Sequence, residues 1–190
     1  MNTILLNGNP AVRRLPLADR TRDLLAADFA ARQWRVAIHE LATMTIGPCL
    51  GCFGCWLKTP GRCVIRDDGD RMIGDLAGAE LLALLTPITF GGYGYDLKKA
   101  MDRCIPIVMP FMKTRDGETH HPHRYPVRRR LLAVGLLPEP DPQSEAVFRR
   151  LVARHALNMA ATAISVLVVD GADERLEARI KSAVDTLEVT

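Results

Sequence analysis

Four of the chain's five cysteines fall in the stretch CLGCFGCWLKTPGRC, at Cys49, Cys52, Cys55 and Cys63. Two-residue spacers bring successive thiolates around one small centre, and a cubane iron–sulfur cluster takes four such ligands. Zinc ribbons present two separated CxxC knuckles, which match three tight cysteines and one distant one less well. On spacing alone a cluster, a zinc ion and a loop of reduced thiols all stay open. Disulfides belong to oxidising compartments. The start, MNTILLNGNP, has no basic leader, long apolar core or small-residue cleavage site, so a cytoplasmic location with reduced thiols is expected.

A second group of residues has the composition of strand-end ligand loops. GNPAVRRLPLADRT, residues 8–21, follows a short apolar run and leads into a helical pattern. The N–H groups and dipole of such a helix start favour an anion, with side-chain donors from Asn9 and Thr21 and charge from Arg13 or Arg14. The alternative is a plain connection with Asp19 as N-cap. In TPITFGGYGYDLKKAMDR, residues 86–103, a buried run meets Pro87 and then Gly91, Gly92 and Gly94, which permit close backbone approach to a flat ligand. GGYG is not a dinucleotide fingerprint, because GxGxxG requires glycine where Leu97 stands.

Periodicity supplies the elements that would position these loops. Thr3 to Leu6, Trp34 to Leu41, Leu81 to Thr86, Leu131 to Leu137 and Ile164 to Val169 read as strands. Helices are expected over Asp19 to Arg32, along Leu97, Ala100, Met101 and Cys104, from Val147 to Met159, and from Leu176 to Leu187. Cys104 lies on an apolar stripe and reads as a core residue. Alternating strands and helices imply a single α/β domain over 1–190, a doubly wound five-stranded parallel sheet of order 2-1-3-4-5 with helices on both faces. Its ligands would bind at the carboxyl ends of the first and third strands. A cysteine loop at 47–68 and a long insertion at 105–129 interrupt the pattern.

Several function classes are excluded. Twenty-five Lys and Arg against 22 Asp and Glu are interspersed, so neither nucleic acid nor a membrane surface is an expected partner. No apolar run reaches the length of a membrane span. No Ser-His-Asp order or paired carboxylate suggests hydrolysis, and no catalytic side chain is assigned. The three histidines of GETHHPHRY, residues 117–125, suit an exposed or subunit-contact loop better than a metal site, and Arg128 to Arg130 suit a solvated sheet end. Trp56 reads as a shield for a cluster or as a loop anchor.

Two resemblances sharpen these alternatives. Thr86, Pro87, Gly91, Gly92, Leu97, Lys98, Asp102 and Arg103 resemble the flavin-binding loop and following helix of flavodoxin-like, NADPH-dependent FMN reductase-type proteins. That likeness implies FMN, with Thr86, Pro87, Ile88, Thr89, Phe90, Gly91, Gly92 and Tyr93 around the isoalloxazine. Its phosphate would lie on the first loop, at Asn9, Ala11 and Thr21. The family's usual G-S-P-R here reads Gly8-Asn9-Pro10-Ala11.

The second pattern comprises Cys49, Gly51, Cys52, Cys55, Gly61, Cys63, Val64, Ile65, Asp67 and Asp68. It resembles the compact motif of iron–sulfur flavoproteins, which implies a [4Fe–4S] cluster on the four cysteines. The expectation is an FMN-dependent oxidoreductase passing electrons between a small-molecule or protein donor and acceptor. A homodimer or homotetramer is expected, the two centres meeting within one subunit or across the interface; Arg124 or Tyr125 would border the flavin or that contact. Alternatives are a cluster-free NAD(P)H-dependent FMN, quinone or azo reductase, and a non-catalytic electron carrier or redox sensor.

Overall fold

The structure, a computed structural model, describes residues 1–10, 16–115, 117–171 and 173–188. In chain order it begins with β1 (Asn2–Asn7), α1 (Pro16–Ala31), β2 (Arg35–Glu40), α2 (Gly54–Leu57), α3 (Gly69–Gly78), β3 (Leu81–Thr89) and β4 (Gly92–Tyr93). It continues with α4 (Tyr95–Asp102), β5 (Lys113–Arg115), β6 (Glu118–His120), β7 (Arg130–Leu137), α5 (Pro142–Asn158), β8 (Ala163–Asp170) and α6 (Leu176–Glu188). β2-β1-β3-β7-β8 is the order of the main sheet, and all four pairings along it are parallel. This is the expected 2-1-3-4-5 arrangement. β4 adds to β3 antiparallel, and β5 and β6 form a separate hairpin inside the 105–129 stretch.

Both faces of the sheet are covered, which is why β1 and β3 read as unbroken apolar runs. Side chains alternate between faces. Ile4, Leu6, Leu82 and Leu84 pack under α3, α4 and α5 against Met72, Leu76, Leu97, Phe148 and Val152. Leu5, Leu81, Ala83 and Leu85 point the other way, onto Leu25 and Phe29 of α1 and Ile180 and Val184 of α6. Each fully buried leucine is worth about 1.5–3 kcal/mol relative to exposure.

The structure departs from the periodic reading in several places. α1 begins at Pro16, so Asp19 lies in its first turn instead of preceding it. α3 was not expected at all: three glycines in GDRMIGDLAG hide it, but Met72, Ile73 and Leu76 bury one face. Asp141 caps α5 by accepting from the Gln143 and Ser144 amides, with Pro142 next. The run before β7 is not simply a solvated sheet end. Buried Arg129 donates to the Leu76 and Ala79 carbonyls at the end of α3, while Arg130 donates to Leu187 O of α6. Two neighbouring cations thus close helix C-termini on opposite faces. Among the described residues no helix is long and apolar enough to cross a membrane.

Candidate functional site

At the carboxyl ends of β1 and β3 the chain is shaped mainly by its backbone. Gly8 N–H donates to Leu85 O at 2.8 Å, and a Cβ on Gly8 would fall 2.8 Å from that of Leu97. Only glycine lets the first loop lie this close to α4. β3 and β4 form a tight hairpin with register Ile88↔Tyr93 and Thr89↔Gly92. Its two central residues, Phe90 and Gly91, have φ of 50° and 76°, the left-handed geometry of a primed turn. A Cβ on Gly91 would sit 2.5 Å from Val147 Cγ1. The Phe90 ring is 100% exposed at the tip. Buried Thr86 closes the loop: its hydroxyl accepts from Gly94 N–H at 2.9 Å and donates to Pro87 O.

Not every residue expected around a flavin presents its side chain there. Ile88 points into the core, beside Gly135. The Tyr93 ring meets Phe148 edge-on, and its hydroxyl lies 2.9 Å from His155 Nδ1. Burial raises the Tyr93 pKa and pushes the His155 imidazole down to about 4. At neutral pH His155 is therefore uncharged, and its contact with the phenol is a hydrogen bond between two neutral groups. Thr21 lies in the second turn of α1, fully buried, with its hydroxyl donating to Leu17 O at 2.6 Å. That donor is directed into the helix backbone. Asn9 is buried, and its N–H donates to Asn7 Oδ1. Ala11 lies outside the described residues.

The cysteine loop is built differently. Cys49, Cys52, Cys55 and Cys63 line one pocket with Leu50, Val64 and Ile105. Gly51 and Phe53 take positive φ of 61° and 54°, and α2 starts at Gly54. Such turns gather N–H groups into concavities that suit thiolate and phosphate groups. Burial raises the Cys55 pKa, and thiolates at Cys63, Cys49 and Cys52 raise it further. The set is spread: among the described residues no three His, Cys, Asp or Glu side chains converge on a point for one metal ion. In a cubane each cysteine binds a different iron, which is a looser demand.

Buried Arg103 holds this loop to the end of α4. Its guanidinium pairs with both Asp67 oxygens at 2.7 and 3.0 Å and donates to Gly47 O at 2.8 Å and Ile65 O at 3.3 Å. Burial alone would raise the Asp67 pKa; Arg103 and the Gly47 and Gly69 amides outweigh it and leave the carboxyl below its ordinary range. Arg103 Nε is buried with no hydrogen-bond partner, on the wall that carries Cys63. That orphaned donor suits a thiolate or an inorganic sulfide. Arg103 and Asp67 both stood in recognised motifs, but nothing in their spacing of 36 residues showed that they meet.

Neighbouring residues resolve the remaining expectations. Trp56 anchors the loop by donating to Val108 O at 3.0 Å; it stacks on Phe53 and meets the His121 ring at a tilt. Arg124 and Tyr125 border the cysteine loop at Gly61. Cys104 is a core thiol, pushed up to about 12 by burial. α4 spans eight residues, about 12 Å. Its start touches Thr86 and its end carries Arg103, so the two loops flank opposite ends of one helix.

No family model matches the chain. An iron-sulfur flavoprotein of Methanocaldococcus jannaschii is 38% identical over 72 residues, a match that spans 38% of this chain and 36% of that protein. The chain thus matches little more than a third of the length of that curated relative. Among solved structures, an FMN-dependent NADH-azoreductase of Bacillus anthracis in complex with FMN superposes with a TM-score of 0.71 at 13% identity, covering 97% of this chain and 98% of that one. An NAD(P)H:quinone oxidoreductase of Methanothermobacter marburgensis also gives 0.71, at 12% identity over 99% and 97% of the two chains. The chain therefore has the flavodoxin-like α/β fold found in these reductases, with a four-cysteine loop set between β2 and α3.

Proposed function

We propose that this chain is a flavin-dependent oxidoreductase that holds FMN at the carboxyl ends of β1 and β3 and a [4Fe–4S] cluster on Cys49, Cys52, Cys55 and Cys63. The observation that carries the proposal is the pocket in which all four cysteines meet the unpartnered Nε of Arg103. The partial match to an iron-sulfur flavoprotein and the fold shared with FMN-dependent reductases support it. When bound, a flavin handles one or two electrons and a cluster one, so together they couple two-electron and one-electron partners. The protein's own task is positional.

Thr89, Phe90, Gly91 and Gly92 offer the hairpin's backbone and one exposed ring to a flat cofactor. Ile88 and Tyr93 contribute main chain only, since their side chains are committed to the core and to His155. Asn9 is retained beside the phosphate; Thr21 is not. At the other end of α4, Arg103 keeps the cysteine loop closed and directs a donor toward sulfur. Donor and acceptor are small molecules or redox proteins.

An anaerobic absorption spectrum with flavin, iron and sulfide assays tests this. Flavin accompanied by equal amounts of iron and sulfide is expected, and Cys52→Ala should lose iron while retaining flavin. Protein that carries neither after anaerobic reconstitution would sink the proposal. The fold shared with azo and quinone reductases favours one other reading, a cluster-free FMN enzyme. It requires flavin without iron, and NAD(P)H turnover with a quinone or azo dye. A mere electron carrier or redox sensor would show no such turnover.

A further inference from the structure

Apart from its four cysteines, the pocket of the cysteine loop is walled by apolar side chains, with one exception. Leu50, Phe53, Val64, Ile65, Ile105 and Pro106 line it, and among the described residues Arg103 is the single charged side chain that does. Its counterion Asp67 is not on that wall. The Asp67 oxygens are taken by Arg103 and by the Gly47 and Gly69 amides. The ion pair is therefore a fixed dipole, with its positive end at the sulfurs and its negative end behind. Burial opposes the Arg103 charge, while Asp67 and then the Cys63 sulfur favour it.

A guanidinium does not give up its proton in a protein, so this charge is permanent. Apolar walls exclude the water that would screen it, and its field is felt more strongly than at a surface. One-electron reduction of an iron–sulfur cluster adds one negative charge, and the hydrogen bonds and charges at the sulfurs govern how readily that charge is accepted. Two properties of Arg103 act in the same direction there. Its unpartnered Nε–H is a charge-assisted donor to sulfur, and the positive end of the pair attracts the added electron. Both favour the reduced form.

We propose that Arg103 sets the reduction potential of the cluster, raising it through its Nε–H donor and its fixed charge, while Asp67 at the far end of the pair lowers it. This rests on the cluster reading above and deepens it, since it adds to the positional role of Arg103 a control over the electron. The electron comes from the reduced flavin or the redox donor, and no proton moves at Arg103.

The test is a reductive titration of the anaerobic, cofactor-loaded full chain, with the reduced cluster followed by electron paramagnetic resonance. The double variant Arg103→Met with Asp67→Leu removes both ions together, a replacement that buried ion pairs tolerate, and leaves no orphaned charge. Its potential should fall, making the ratio of reduced to oxidised cluster about tenfold lower at a given poise, which is about 59 mV for a one-electron couple. Arg103→Lys keeps the charge but loses Nε, and should fall by less. Asp67→Asn should move the potential upward. Opposite signs separate a field from loosened packing, because water entering the pocket would shift both variants the same way. Should Asp67→Asn fail to fold, the double variant and Arg103→Lys still decide. A coupling to an exchangeable proton, lost in heavy water, should be present in the reduced wild-type cluster and missing from the double variant. A bound cluster whose potential is unchanged in the double variant, or that shifts downward in Asp67→Asn, overturns this inference and leaves the cluster reading standing. A wild-type chain that takes up flavin but no iron overturns both.

Discussion

The two ends of α4 are held by different physics. At its start, the Gly94 amide, the Thr86 hydroxyl and the close approach of Gly8 make a neutral site whose shape is set by the main chain. At its end, a fully buried guanidinium and a carboxylate that is 8% exposed make an ionic one. The first is sensitive to bulk, because an added Cβ has nowhere to go. The second is sensitive to charge, because removing one ion leaves the other buried without a partner.

Four perturbations test that contrast, in descending order of effect. Asp67→Asn or Arg103→Met should each cost about 3–5 kcal/mol in guanidinium unfolding, since either leaves an uncompensated charge. A loss below about 1 kcal/mol would mean that solvent reaches this pair and that the ionic account is wrong. Acid should separate the two ends further. His155 has its folded pKa depressed from 6.5 to about 4, so its contribution is intact above 6.5 and is lost as pH falls toward 4, by about 3 kcal/mol in all. His155→Leu should flatten that part of a stability-against-pH curve. Asp67, also depressed, contributes only above its ordinary value of 3.8 and loses its share below that. A slope between 6.5 and 4 that survives His155→Leu would point to another group.

Bulk comes next. Gly91→Ala meets Val147 at 2.5 Å with φ at 76°, and should cost about 1–3 kcal/mol. Adding Val147→Ala should recover only part of the steric cost, because Val147 Cβ itself lies 2.6 Å from the added methyl, and none of the backbone strain. Full recovery would show that φ imposes no strain. Smallest of all, Phe90→Ser at the exposed tip should shift stability by no more than about 0.5 kcal/mol. If the flavin proposal holds, it weakens FMN binding while thermal stability of the cofactor-free protein stays put.

Much of this molecule could be read along the chain. Leu81 to Leu85 and Leu131 to Leu137 announced central strands because a strand covered on both faces needs apolar residues at every position. The cysteine spacing announced that four thiols share one pocket because those residues are local. α3 escaped because glycine lowers helix propensity, and tertiary burial of Met72, Ile73 and Leu76 overrides that cost. Thr21 reads in sequence as a donor near a helix start, whereas the structure directs its hydroxyl to Leu17 O. The histidines of GETHHPHRY carried no legible role, since the groups they meet, Asn158, Phe111 O and the Trp56 ring, come from other segments.

Sequence by itself therefore determined the α/β class, the strand order and the gathering of four cysteines in one loop, all of which follow from periodicity or short spacing. Only the tertiary structure decided that Arg103 meets Asp67, that Tyr93 turns to His155, and that Arg129 and Arg130 close helices on opposite faces. Charge pairing and burial act between residues that share no local pattern. They come into force only when the sheet has brought distant segments within a few ångströms of each other.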